Sequence, residues 1–285
     1  MTGTYFELIR IKQWIKNIII FLPVFFSGEK IELSTYMNLC KTFLAFSLIT
    51  SSVYILNDII DKENDAKHPF KKCRPIASNK VKENVAGWNG VFLLILGFSY
   101  FLLFEKNVLF TVLLYVILMI LYCFIFRKIA ILDVFIISIG FVLRLFIGSG
   151  VSATPVSIWI IIMMFLLALF ISFSKRREDV LNENGNVRES IKHYNLLFIN
   201  TVICIIVPII IVTYILYCTS DTNILRLGGY LYFTTLFVIL GFLRYLQLVF
   251  VFNFGGDPVQ LIYDDLALQV IILSWLATFG YLIYF

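Results

Sequence analysis

The chain is written in long apolar runs separated by short polar stretches. Nine runs stand out, at 17–27, 42–57, 88–104, 107–126, 130–149, 156–173, 195–218, 228–251 and 266–284. Most approach the roughly 20 residues an α-helix needs to cross about 30 Å of hydrocarbon. They are continuously apolar, whereas strands of a membrane barrel would alternate. A backbone in lipid must close its own hydrogen bonds, so helices are the expected form. The pattern predicts an all-α integral membrane protein with about nine transmembrane helices. The first run is short and is expected to extend back through Trp14.

Composition agrees. Of 285 residues, 60% are hydrophobic and only 14% charged, against roughly 25% charged in soluble domains. The 29 Phe and 15 Tyr suit lipid-facing and interfacial positions. No Gly-, Ser- or Pro-rich linker divides the chain, so residues 1–285 are expected to form a single domain. Arg10, Lys12 and Lys16 precede the first run, but no small-residue cleavage site follows, which argues against a cleavable signal peptide. Cys40, Cys73, Cys123, Cys204 and Cys218 show no close pairing and are read as buried, inert thiols rather than a disulfide or zinc framework.

The placement of charge sets the orientation. With nine spans and the N-terminus inside, segments 1–16, 58–87, 127–129, 174–194 and 252–265 hold 17 Lys and Arg, against 4 on the other side. Positive residues favour the cytoplasm. The expectation is a multi-pass plasma-membrane protein whose hydrophilic loops, 58–87 and 174–194, face inward. These loops follow the second and sixth spans, a hint of a pseudo-repeat without residue-level similarity.

The candidate chemistry lies at the end of the second span, in Asn57-Asp58-Ile59-Ile60-Asp61-Lys62-Glu63-Asn64-Asp65. Asp58, Asp61 and Asp65 are spaced i, i+3 and i+7, along one face of a continuing helix. Carboxylates so crowded repel one another unless a cation joins them. Mg²⁺ takes such hard oxygen ligands together with substrate phosphates. Lys71, Lys72 and Arg74 follow and could grip phosphate, Arg74 with two donors at once. His68, before Pro69, reads as a turn residue. After the sixth span come Lys175, Arg176 and Arg177, cations where a phosphate could bind. Asp264 and Asp265 sit without basic neighbours, and Asp265 is placed to cap the last span. Arg144 and Arg244 lie inside spans, where charge is costly and usually functional. One could hold a lipid phosphate and the other pair with an acid.

The acidic signature Asn57-Asp58-x-x-Asp61-x-x-x-Asp65, with the loop through Arg74-Pro75, resembles the UbiA superfamily of intramembrane prenyltransferases. Typical members carry a second Asp-rich motif after the sixth helix, where this chain has Ser174-Lys175-Arg176. That departure is similar instead to the decaprenyl-phosphate phosphoribosyltransferase branch. So are Arg10-x-Lys12-Gln13-Trp14-x-Lys16-Asn17, Leu143-Arg144, Tyr194 and Leu243-Arg244-Tyr245. The resemblance implies Asn57, Asp58, Asp61 and Asp65 around Mg²⁺, with Asp58 and Asp61 catalytic. It implies substrate contacts from Lys16, Asn17, Lys72, Arg74, Arg144, Lys175, Arg176 and Tyr194. It also implies transfer of phosphoribose from 5-phosphoribosyl 1-diphosphate (PRPP) to a polyprenyl phosphate, with release of diphosphate. The membrane is the expected setting and no nucleic acid is an expected partner; a homo-oligomer is compatible with the sequence. Two other readings remain: a UbiA-type prenyltransferase for an aromatic or other acceptor, and a cation-coupled transporter with Asp58 and Arg144 along its path. A transporter calls for acids near mid-span, whereas these gather at one end.

Overall fold

The computed structural model describes residues 2–29, 31–67, 71–181, 189–252 and 258–284. Among them there is no strand. Eight helical segments are long and apolar enough to cross a membrane. The expected first span takes another form. Ile11–Phe21 winds as a 3₁₀ helix of 11 residues and continues as the six-residue helix α1 (Leu22–Ser27). At about 2.0 Å rise per 3₁₀ residue and 1.5 Å per α residue, the composite is about 31 Å long. It is thus as long as a span although too short in residues to be an α-helical one. The physical basis is its period. In a 3₁₀ helix positions three apart eclipse, and Trp14, Asn17 and Ile20 form the line turned inward while Ile15 and Ile18 are exposed.

The remaining helices are α2 (Leu33–Ile60), α3 (Glu83–Phe104), α4 (Leu109–Phe124), α5 (Leu132–Ser152), α6 (Ile158–Leu181), α7 (Leu196–Thr219), α8 (Thr235–Phe250) and α9 (Leu266–Tyr284). Two boundaries matter for function. Helix α2 runs through Asp58, and α6 runs on through Lys175, Arg176 and Arg177, residues expected in a loop. Polar ends stay helical because every residue added to a formed helix gains a backbone bond at little further cost.

The chain falls into two compact units, one of residues 1–155 and one of 156–183 and 189–285. In the first, α2 packs along α3 and against α4 and α5, and α5 packs on the 3₁₀ segment and α1. Phe46, Ile49, Phe101, Val112, Tyr115 and Ile147 are central to its core. A smaller cluster of Leu8, Ile9, Ile55, Ile76, Ala86 and Leu93 lies toward the end of α2. In the second unit α6 packs on α7, and α8 on α9 and α7. Ile199, Ile203, Tyr217 and Phe279 are almost wholly buried there.

The reading of all five cysteines as buried fails for three. Cys40, Cys73 and Cys204 are exposed, while Cys123 and Cys218 are buried. For Cys40 and Cys204 the reason is that an apolar helix needs only part of its circumference covered by protein when lipid covers the rest.

Close approach in the first unit depends on glycine. A Cβ built on Gly97 of α3 would stand 2.7 Å from the Ala45 carbonyl oxygen of α2, and one on Gly148 would collide with the Ile20 carbonyl. Gly148 lets α5 touch the backbone of the 3₁₀ segment. Gly148→Ala is therefore expected to destabilise by about 1–3 kcal/mol, the usual range for overpacking. Gly241→Ala, whose Cβ would meet Ile271 at an ordinary 3.6 Å, should leave stability near wild type. Apparent melting temperatures in detergent check both.

Candidate active site

Local packing fixes where the charges stand. Ile55 of α2 is buried with Ile9 and Ile76. Those neighbours belong to the N-terminal segment and the α2–α3 connection, and they bring Arg10 and Arg74 to the helix turn that carries Asp58. The Ser51 hydroxyl adds a bond to the Ile9 carbonyl at 2.7 Å. Arg10 takes a left-handed backbone conformation, φ 53° and ψ 49°. For a residue with a Cβ that costs on the order of 1–3 kcal/mol and needs support from its surroundings.

That support comes from Asp58. Arg10 Nε donates to Asp58 Oδ2 at 3.0 Å, and its Nη2 donates to Oδ1. Arg74 Nη1 donates to Asp58 Oδ1 at 3.1 Å, and the same nitrogen donates to Asp65. Arg127, from the α4–α5 connection, donates to Asp61 Oδ1 at 2.5 Å. Asn57 Nδ2 donates to the other Asp61 oxygen at 3.2 Å. Asp58 and Asp65 are 4% exposed and Asp61 9%. Three nearly buried carboxylates are thus matched by three guanidinium groups from three separate segments.

The helical face expected for the acids is present with one interruption. Asp61 caps α2, and a short helix, Lys62–Lys67, restarts with Asp65 N bonded to the Asp61 carbonyl at 2.8 Å. Asp58 and Asp65 converge on one Arg74 nitrogen, while Asp61 is drawn to Arg127 and Asn57. Among the described residues no group of three or more His, Cys, Asp or Glu is gathered tightly enough to hold a metal ion. The donor set itself fits Mg²⁺. Asn57, Asp58, Asp61 and Asp65 offer only hard oxygen, and Mg²⁺ binds through one or two carboxylates plus substrate phosphates.

A second polar layer lies deeper in the same unit. Arg144 is 5% exposed. Its Nε donates to Asn17 Oδ1 at 2.9 Å, Nη1 to the Gly140 carbonyl at 2.7 Å and Nη2 to the Tyr115 hydroxyl at 3.0 Å. The rings of Tyr115, Phe141 and Phe46 stand 4.9, 5.2 and 5.5 Å from its guanidinium carbon, within cation–π range. Asn17 in turn donates to Ser47 and Thr50 at 2.9 and 3.2 Å.

The other expected residues sit as follows. Lys16 is half-buried, Lys72 is exposed in the turn Lys71–Cys73, and His68 lies outside the described residues. In the second unit, Lys175 is exposed on the last turns of α6. Arg176, 3% exposed, donates to Asp179 at 2.7 Å, and Arg177 donates to Asn200 at 3.0 Å. Tyr194 is buried, stacked on Phe198 with ring centroids 6.0 Å apart. Arg244 is the arginine that pairs with an acid, Nη2 to Asp265 Oδ2 at 2.6 Å. That bond holds the Asp265 carboxyl below the usual carboxylate range. Asp265 also caps α9, accepting from Leu268 N at 2.8 Å.

Sequence reasoning passed over Arg10 and Arg127 as site residues. Arg10 opened the stretch that resembles the phosphoribosyltransferase branch but was given no role there, and the signal of Arg127 was only positive charge next to a span, which orientation alone explains.

The chain thus has an all-helical membrane fold with a carboxylate–arginine cluster at the end of α2. Residues 18–252 match the UbiA prenyltransferase family, and the chain belongs to that family. It is an enzyme of that family. The chain is 28% identical to a decaprenyl-phosphate phosphoribosyltransferase of Mycolicibacterium smegmatis, over 98% of this chain and 92% of that one. It is 25% identical to one of Corynebacterium glutamicum, over 94% and 83%. Its fold is similar to a UbiA homolog from Archaeoglobus fulgidus solved with GPP and Mg²⁺, with TM-score 0.74, 14% identity and 99% of each chain covered.

The Arg144–Asn17 link should carry stability across the first unit. Arg144→Met is expected to lower the melting temperature in detergent, and Asn17→Ala to add little on top of it. Coupling between contacting residues of about 0.5–3 kcal/mol is the expected size. Additive losses in the double-mutant cycle would contradict the link.

Proposed function

We propose that the chain transfers phosphoribose from PRPP to a polyprenyl phosphate such as decaprenyl phosphate, releasing diphosphate. The relatives named for that activity support this reading over nearly their full length. The observation that carries the choice of donor is the end of α6. It bears Lys175, Arg176 and Arg177, with Asp179 already bonded to Arg176. A prenyl diphosphate is charged only at its head, whereas PRPP has a further 5-phosphate that calls for cations.

The reaction needs little covalent help from the protein. An oxygen of the acceptor phosphate attacks C1 of the ribose as the bond from C1 to the diphosphate oxygen breaks. The bonding electrons leave with diphosphate. A phosphate monoester is largely ionised near neutral pH, so the acceptor needs no strong base. Asp58, Asp61 and Asp65, with Asn57, would hold Mg²⁺, which when bound neutralises charge on the departing diphosphate. Arg74 and Lys72 would bind its oxygens, and Lys175 the 5-phosphate. Lys16, Asn17, Arg144, Arg176 and Tyr194 are proposed to shape the substrate sites around these groups. Catalysis rests on position and fixed charge. We place the site on the cytoplasmic side of the plasma membrane, where a soluble, polar donor is available and the basic residues concentrate.

Asp58→Asn and Asp61→Asn are expected to reduce turnover by at least about a hundredfold, the scale seen when a preorganised electrostatic group is lost. Excess EDTA should abolish wild-type activity; full activity in EDTA would remove the metal from the scheme. The donor is tested with purified protein in detergent, labelled PRPP and decaprenyl phosphate, where a lipid-soluble labelled product is expected. Melting curves with Mg²⁺ give an independent answer, since a ligand of the native state raises the apparent melting temperature. Stabilisation by geranylgeranyl diphosphate and none by PRPP would replace phosphoribosyl transfer with prenyl transfer.

A further inference from the structure

Arg10, Arg74 and Arg127 neutralise the carboxylates that would take the metal. From this we infer that the site binds a divalent cation and the donor's diphosphate only as a strongly coupled pair, with these three arginines changing partners between carboxylate and diphosphate. The inference rests on the diphosphate-donor reading above and adds Arg10 and Arg127 to the residues that meet the donor.

Asp58, Asp61 and Asp65 contribute three negative charges, and Arg10, Arg74 and Arg127 three positive ones, all in direct contact. Nearby Lys62 is paired with Glu83 at 2.7 Å and does not alter the balance. A bare dication approaching this neutral cluster must compete for oxygens that guanidinium groups hold. Any arginine it displaced would stand beside two added positive charges, and like charges a few ångströms apart repel strongly where water is scarce. A free diphosphate meets the mirror problem, because the arginines it needs are committed to the carboxylates. Together the two remove each other's obstacle. Diphosphate oxygens take the guanidinium groups, and the released carboxylate oxygens take the cation. The exchange replaces charge-assisted bonds with others of the same kind, so neither set of groups is left unpaired in a nearly buried site. Coupling of this sort is reciprocal: whatever factor diphosphate adds to cation affinity, the cation adds to diphosphate affinity.

Geometry makes the exchange local. Arg74 is half-buried, and one nitrogen serves both Asp58 and Asp65, so a single side-chain rotation releases Asp65 and leaves Asp58 to Arg10 alone. Arg127 reaches Asp61 from a different connection and can move independently. Arg10 stands over the Tyr54 ring at 5.2 Å, which offers the guanidinium a second support when it leaves Asp58.

The test is equilibrium dialysis of radiolabelled Mn²⁺ against the full chain in detergent, with and without inorganic diphosphate. Protein-bound manganese is the excess on the protein side. Mn²⁺ alone should bind weakly, and diphosphate should tighten it at least about tenfold, within the usual range for coupled sites. Arg74→Gln and Arg127→Gln each unmask a carboxylate, so both variants should bind Mn²⁺ alone several-fold more tightly than wild type while binding diphosphate less well. A plain diphosphate ligand would leave binding of the lone cation unchanged, and a purely structural residue would not raise it. If wild type binds Mn²⁺ equally with and without diphosphate, or the variants bind lone Mn²⁺ no better, the coupling is overturned. Binding of labelled diphosphate in that case would leave the diphosphate-site reading intact. No diphosphate binding at saturating Mn²⁺ would remove both.

Discussion

A carboxylate carried to the end of a membrane helix must be neutralised, and most of the first unit is organised by how this happens. Asp58, Asp61 and Asp65 stand within eight residues of chain and are nearly buried. Removing one partner of a buried ion pair typically costs about 3–5 kcal/mol. The counter-charges are brought from afar: Arg10 before the 3₁₀ segment, Arg74 between α2 and α3, and Arg127 between α4 and α5. Each pair therefore pins a different connection to the end of α2. The apolar cluster of Ile9, Ile55 and Ile76 sets two of these connections in place, so hydrophobic burial positions the arginines and the ion pairs give their positions a purpose.

Arg144 solves the same problem without an acid. Its three hydrogen bonds reach an amide, a carbonyl and a phenol, and three aromatic rings surround the guanidinium. Its positive charge is dispersed over dipoles and ring faces and is not cancelled. The outer layer of the unit is charge-balanced, whereas this deeper group carries net positive charge. The deeper layer depends on the 3₁₀ geometry, which sets Trp14, Asn17 and Ile20 in one inward line. Asn17 is the direct link, joined to Arg144 on one side and to Ser47 and Thr50 on the other.

The second unit handles its charges differently. Arg176 is bonded within its own helix to Asp179, Arg177 reaches Asn200 on α7, and Arg244 is paired with Asp265. Family membership joins both units, since the match runs from residue 18 to 252. At the end of α6, Lys175, Arg176 and Arg177 stand beside Glu178 and Asp179 on one helix.

The sequence by itself determined the class of the protein. Apolar runs too continuous for strands and too long for a soluble core impose membrane helices, because lipid offers the backbone no partner. Eight of the nine expected spans are long apolar helices, and the ninth is present as a 3₁₀ and α composite. The acidic triplet was legible too, because spacing along one helix is a local property. The partners of those acids were decided only by the tertiary structure. Nothing local connects Arg10 with Asp58 across 48 positions, or Arg127 with Asp61 across 66. A basic residue beside a span looks the same in sequence whether it faces water or a buried carboxylate. The same limit applied to Arg144 and Arg244. Which one has an acid partner depends on the helices packed around it, and that is fixed by burial over the whole unit rather than by neighbours in the chain.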